Sequence, residues 1–254
     1  MSILAAQGLT RSFGGLRAVD GVSFEAGEKR ITAVIGPNGA GKTTLFNLIS
    51  GALEPDSGRV LFDGSDITGL KPYKVARLGL ARTFQAIKLS RKMTALENVM
   101  LGRHVRSRAG FIEGMIAAPW TRGEERSIRE ESMRAIELLG IAEYRDKETG
   151  SLPFGIQRSV ELARAIASEP KLLLLDEPAS GLNVRETKAL AGLIARIRDR
   201  GISILVVEHD MSLVMDVSDE IVVLDFGKKL AQGAPREIQQ NKEVIEIYLG
   251  EEDA

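Results

Sequence analysis

Hydrophobic positions follow two different periods along the chain. Ile31–Ile35, Leu172–Leu175, Ile204–Val207 and Ile221–Leu224 are short, almost wholly apolar runs with no regular polar alternation. Strands of a parallel sheet, buried on both faces, carry this pattern. Val19–Phe24 and Arg59–Phe62 read instead as strands of an antiparallel edge, with turns at Gly27–Glu28 and Asp63–Gly64. From Lys88 to Ala167 the period lengthens. Ala95–Leu101, Glu124–Leu139 and Gln157–Ala167 place apolar residues three and four apart, which is helical spacing. The pattern predicts an α/β protein: a core of mainly parallel sheet with an N-terminal antiparallel β edge and an inserted helical subdomain. The expected boundaries are 1–87 for the first part of the core, 88–164 for the helical subdomain, 165–250 for the second part and 251–254 for an acidic tail. Ala109–Trp120 fits neither period and reads as a loop with room for one short helix.

Composition narrows the classes. With 44% apolar and 27% charged residues in 254, the chain has the balance of a soluble globular protein. It has no cysteine, which excludes disulfides and cysteine zinc sites. Thirty-four Lys and Arg against 35 Asp and Glu give a net charge of −1, without the basic excess of a nucleic-acid binder. No apolar run approaches the ~18–20 residues that span a bilayer, and Met1–Gly15 lacks the charged start and apolar stretch of a signal peptide. A cytoplasmic chain, brought to a membrane only by partners, is the expectation.

The chemistry begins at Gly36-Pro37-Asn38-Gly39-Ala40-Gly41-Lys42-Thr43, a complete G-x-x-x-x-G-K-[ST] phosphate loop. It follows the strand Ile31–Ile35 and precedes a helical run starting at Thr44, the setting the motif requires. Glycines let backbone N–H groups converge on phosphate oxygens, and the helix N-terminus adds partial positive charge. Lys42 would reach the β- and γ-phosphates, and the Thr43 hydroxyl would reach Mg²⁺. Leu172–Leu175 then runs into Asp176-Glu177-Pro178. A strand carrying an acid pair to the C-terminal edge of such a sheet brings it beside the phosphate loop. Asp176 would hold Mg²⁺ through water, and Glu177 would orient and deprotonate the attacking water. Asn241-Lys242-Glu243-Val244 lacks the final Asp of a guanine-reading motif, so GTP is not the expected nucleotide.

Further segments carry a family resemblance. Ala81–Gln85 resembles the Q-loop of ABC ATPases, Ser151–Gln157 their signature, Ser180–Asn183 their D-loop and Val206–Asp210 their switch-histidine loop. The order and spacing match that family over nearly the whole chain. Met93–Val99, Glu208–Met215, the insertion His104–Glu125 and the closing Ile247–Gly250 are similar to the ATP-binding subunits of branched-chain amino acid importers. Related members serve urea, aromatic acids or lipopolysaccharide.

The resemblance implies further roles. Phe13 would stack on adenine, with Val19 packing against the same ring. Gln85 would touch Mg²⁺ or the water, and His209 would contact the γ-phosphate. Gly155 would cap the nucleotide of a second chain from the helix N-terminus that follows it. The signature departs from Leu-Ser-Gly-Gly-Gln: Pro153, Phe154 and Ile156 replace Ser, Gly and Gln, and only Leu152 and Gly155 keep their places. The serine hydroxyl for the partner's γ-phosphate is therefore absent. The implied assembly is a homodimer or a heterodimer with a related ATP-binding subunit, closing head-to-tail over two ATP molecules. It would drive transmembrane permease subunits and meet a periplasmic solute-binding protein only indirectly, with no nucleic acid partner. A weakly hydrolysing ATP-binding regulator is the alternative the altered signature leaves open. Arg103, His104, Arg106 and Arg108, followed by Phe111, Ile112, Met115, Ile116 and Trp120, either lie near anionic headgroups or a membrane subunit, or form a solvated turn with local packing.

Overall fold

The computed structural model describes residues 1–105 and 121–252. Most of the basic and apolar cluster named above, including Ala109–Trp120, lies outside them. The chain divides into two compact units, Met1–Gln85 with Lys171–Ala254, and Ala86–Pro170.

The first unit holds two sheets. One is parallel except at one edge. Its strands are β3 (Ile31–Ile35), β6 (Leu80–Arg82), β7 (Leu172–Asp176), β8 (Ser203–Val207), β9 (Glu220–Asp225) and β10 (Lys228–Gly233), in the order β10-β9-β3-β8-β7-β6, with β10 antiparallel to β9. Every residue of β3, β7 and β8 is buried, as their unbroken apolar runs predict. The other sheet is antiparallel, in the order β2-β1-β4-β5, built from β1 (Ser2–Phe13), β2 (Leu16–Gly27), β4 (Ser57–Phe62) and β5 (Ser65–Asp66). Leu4, Leu9, Val22, Phe24 and Phe62 from this sheet share one core cluster with Val34, Leu172, Leu205 and Val222. Helix α1 (Lys42–Ile49) adds Leu45, Phe46 and Ile49 to it. The remaining helices of this unit are α2 (Pro72–Leu78), α6 (Val184–Asp199), α7 (Met211–Val217), α8 (Pro235–Gln240) and α9 (Lys242–Glu252).

The second unit is helical. Helices α3 (Ala95–Leu101), α4 (Thr121–Leu138) and α5 (Phe154–Ala167) pack on one another. They bury Leu96, Val99, Ile136, Val160 and Leu162. The start of α3 explains the phrase Met93–Val99 in physical terms. Thr94 and Glu97 form a reciprocal capping box. Asn98, fully buried, donates to the Ser90 and Thr94 carbonyls and accepts from the Ser90 N–H.

Candidate nucleotide site

Four parallel strands end side by side. Residues 36–43 follow β3, Gln85 lies three residues past β6, Asp176 and Glu177 close β7, and Glu208 and His209 follow β8. Register fixes the alignment, because Val207 pairs with Val34 on one side and with Asp176 on the other. Ligands of open parallel sheets bind at this C-terminal edge. The sequence-predicted phosphate loop, acid pair and histidine are thus gathered at one edge of one unit.

The loop is shaped by what lies behind it. Gly36 and Gly41 have positive φ and run so close to the backbone of Leu224 and Ala18 that a Cβ would strike it. The Ala40 carbonyl accepts from the Gly227 N–H at 3.1 Å, and the Gly227 carbonyl accepts from the Asp20 N–H at 2.8 Å. The turn between β9 and β10 therefore buttresses the loop. Asn38 and Gly39 are exposed, whereas Gly36 and Ala40 are buried and Pro37 is half-buried. Lys42 is buried and its Nζ donates to the Gly36 and Pro37 carbonyls at 2.7 and 2.8 Å. Thr43 is exposed and Thr44 half-buried in the first turn of α1.

The acid pair is held in two different ways. Asp176 Oδ2 accepts from Arg82 Nη2 at 2.8 Å. Glu177 sits in the left-handed region at φ 45°, with its N–H bonded to the Val207 carbonyl at 2.9 Å. A non-glycine residue held there stores strain, a common feature of functional sites. Its Oε2 accepts from Gln85 Nε2 at 2.7 Å. The structure thus brings together two side chains that the sequence assigns to separate tasks. His209 Nδ1 lies 3.9 Å from the same oxygen, and its side chain is 62% exposed.

Glu208 carries a signal that the sequence reading left unused. It is 1% exposed. Oε1 accepts from the Ala179 N–H at 2.7 Å, and Oε2 accepts from the His209 N–H at 3.1 Å. One carboxylate thus ties the segment after the acid pair to the histidine loop. Burial pushes its carboxyl above the usual range, against the pull of those backbone N–H groups. An acid directly after an apolar strand is the feature that marks it in the sequence. Arg82 is the other group the sequence reading passed over.

Two expectations on the base side fare differently. Phe13 is 45% exposed, with the Arg11 guanidinium 5.1 Å from its ring centroid. Val19 is 0% exposed, locked in the core cluster, and presents no surface for a base to pack on. In the second unit, Pro153 is the N-cap of α5 and Gly155 lies in its first turn. The N–H groups of such a turn lack intrahelical acceptors.

The donors fit a small hard cation. Thr43 offers a hydroxyl, Asp176 a carboxylate and Gln85 an amide carbonyl, all oxygen ligands. Among the described residues no three His, Asp or Glu cluster as a protein-only metal cage. Mg²⁺ commonly binds through one or two protein oxygens plus substrate phosphates, which suits this set.

Comparison with known proteins agrees with the geometry. Residues 19–180 match the ABC transporter family model, and residues 228–254 match that of the branched-chain amino acid ATP-binding cassette transporter. The chain is 44% identical over 250 residues to the high-affinity branched-chain amino acid transport ATP-binding protein BraF of Pseudomonas aeruginosa, covering 98% of each. It is 41% identical to LivG of Escherichia coli, which bears the same description, again with 98% of each chain covered. Among solved structures, an ATP-binding cassette of an ABC transporter in its ADP conformation superposes with a TM-score of 0.86 at 31% identity, covering 98% of this chain and 99% of that one. With a family model spanning most of its length and full-length relatives above 40% identity, the chain belongs to the ATP-binding proteins of the ABC transporter family.

Proposed function

We propose that this protein is the ATP-hydrolysing subunit of an importer for branched-chain amino acids. The observation that carries the reading is the shared edge where the phosphate loop, the acid pair and the histidine meet. The solute is inferred from the relatives, both of which are described as branched-chain amino acid transport proteins. Work at the cytoplasmic face of the membrane follows from that role, through permease partners. Among the described residues no helix is long and apolar enough to cross a membrane.

In this reading Phe13 stacks on the adenine, and the N–H groups of residues 38–44 and Lys42 hold the phosphates. Lys42 exchanges the Gly36 and Pro37 carbonyls for phosphate oxygens. Thr43, Asp176 and Gln85 would hold Mg²⁺, which would supply positive charge to offset the charge of the phosphates. Glu177 accepts the proton of the water that attacks the γ-phosphorus as the bond to the ADP oxygen breaks. His209 donates to a γ-phosphate oxygen, where charge builds in the transition state. Gln85 holds the Glu177 carboxylate in place before the water is engaged.

Two chains, this one and either a second copy or a related ATP-binding subunit, close head-to-tail, and this chain caps its partner's ATP with Gly155 and the start of α5. Moving such an equilibrium from mostly open to mostly closed takes about 5.5 kcal/mol of differential binding. ATP supplies it because its γ-phosphate is gripped from both sides only when closed, and hydrolysis removes the grip. The test is Glu177→Gln, which keeps the shape and removes the base. Gel filtration with ATP and Mg²⁺ is expected to show a stable dimer. A variant that stays monomeric while hydrolysing at the normal rate ends the assignment of Glu177. Leucine uptake in cells lacking this chain tests the solute.

A further inference from the structure

Arg82 is the last residue of β6, three positions before Gln85, and its guanidinium reaches two other elements. Nη1 donates to Asn47 Oδ1 at 2.7 Å and Ser50 Oγ at 2.8 Å, at the end of the helix that the phosphate loop opens. Nη2 donates to Asp176 Oδ2 at 2.8 Å. The Phe46 and Phe84 ring centroids lie 5.8 and 5.6 Å from the guanidinium carbon, within the range of cation–π attraction. The two ion-paired side chains are only 11% and 9% exposed.

We infer that Arg82 is a positioning residue for the metal carboxylate. It pins Asp176 Oδ2, so that Oδ1 is the oxygen turned to the cation, and it references that oxygen to the helix behind the phosphate loop. This inference rests on the proposed role of Asp176 in holding Mg²⁺. A buried ion pair is a poor source of stability, because desolvation offsets the attraction between the charges. What the arrangement does provide is geometry. A planar fork with several donors fixes a carboxylate against two further partners, which the single ammonium of lysine cannot do. Without Arg82, Asp176 is a mostly buried carboxylate free to turn, and each turn moves the metal-facing oxygen.

The experiment is a Mg²⁺ titration of fluorescent ATP-analogue binding by wild type, Arg82→Met, Arg82→Lys and Lys42→Ala, with melting curves of the nucleotide-free proteins. Arg82→Met is expected to bind the analogue in EDTA as wild type does. It should need about tenfold more Mg²⁺ for half-saturation, the low end of the loss seen when a metal ligand's supporting partner is removed. Arg82→Lys, which keeps the charge and carries the test if Arg82→Met does not fold, shifts the same way. Mg²⁺ half-saturation at the wild-type value in both variants overturns the inference, even if their melting temperatures fall. A tightened Mg²⁺ response overturns it too, since the guanidinium would then be only a competing cation. If wild type shows no Mg²⁺-dependent binding, or Lys42→Ala retains it, the nucleotide site itself fails and this inference with it. That failure appears in wild type or at Lys42, not at Arg82.

Discussion

A Cβ on Gly41 would sit 2.2 Å from the Ala18 carbonyl oxygen, and one on Gly36 would sit 2.1 Å from that of Leu224. At Gly39, where φ is 83°, it would meet nothing within 4 Å. The three glycines of one motif are thus held by different physics. Gly41→Ala combines left-handed strain with a backbone clash and is expected to cost about 3 kcal/mol, against about 1 kcal/mol for Gly39→Ala. Melting the two variants without nucleotide checks this; equal losses would mean that the clash relaxes. The motif was readable in the sequence, but its inner cause was not, because Ala18 and Leu224 are remote in the chain. The same holds for Arg82, whose partners lie 32 to 94 residues away. Val19 misled for the opposite reason: its place in the family pattern carries no information about which face of β2 it occupies. His209→Ala is expected to lower kcat by about 10²–10³, the scale of one lost transition-state contact. An unchanged kcat in steady-state ATPase assays returns His209 to a structural role.

Elements were readable in proportion to the clarity of their period. β3, β7, β8 and β9 were evident because strands covered on both faces need no alternation, only a short apolar run. β1 was not, although it is the strand to which both β2 and β4 pair. Its pairing with β2 shifts register between Ala6 and Leu9, around Gly8 at φ 60°, and a bulge there breaks the two-residue period that marks a strand. α3 was readable from the three- and four-residue spacing of its apolar positions, and the structure shows the capping box of Thr94 and Glu97 that fixes its start. Thr94→Ala should therefore cost about 1 kcal/mol, a few degrees of melting temperature at this size. Glu208, at the end of β8, tests a different link. Burial raises its carboxyl in the folded protein. A raised carboxyl contributes stability that is fully present below the ordinary carboxylate range and is lost as pH rises through the raised value. Glu208→Gln has no such proton to lose. The melting temperature of wild type minus that of the variant is expected to shrink as pH rises from about 4 to 7; a constant difference would mean that folding does not perturb this carboxyl.

At the scale of the whole molecule the question is what the altered signature does to a pair of chains. In a head-to-tail dimer a chain's signature acts on its partner's ATP, not on its own. This chain keeps a phosphate loop, Glu177 and His209, the parts that on the proposed mechanism act on its own nucleotide. At the cap it offers Pro153 and Ile156, which bring no hydroxyl or amide side chain. Gly155 and the first turn of α5 still present N–H groups, so on the proposed mechanism the cap is weakened rather than lost. If two different subunits pair, the loss falls on one site only, the one built on the partner's phosphate loop. The double variant Pro153→Ser, Ile156→Gln should then raise turnover at that site. Pro153 is the N-cap of α5 with no side-chain cap bond, and serine is a favoured N-cap, so the exchange is compatible with the helix start. The assay follows a single turnover of bound ATP in a pair where the double variant also carries Glu177→Gln and the partner's own catalytic glutamate is intact, so that only the partner's ATP is hydrolysed and reopening does not limit the rate. Faster hydrolysis than with the unaltered signature shows that the missing side chains limit the partner's site. An equal rate in this pair, and in a homodimer of the double variant that keeps Glu177, shows that backbone N–H groups alone suffice to cap the nucleotide.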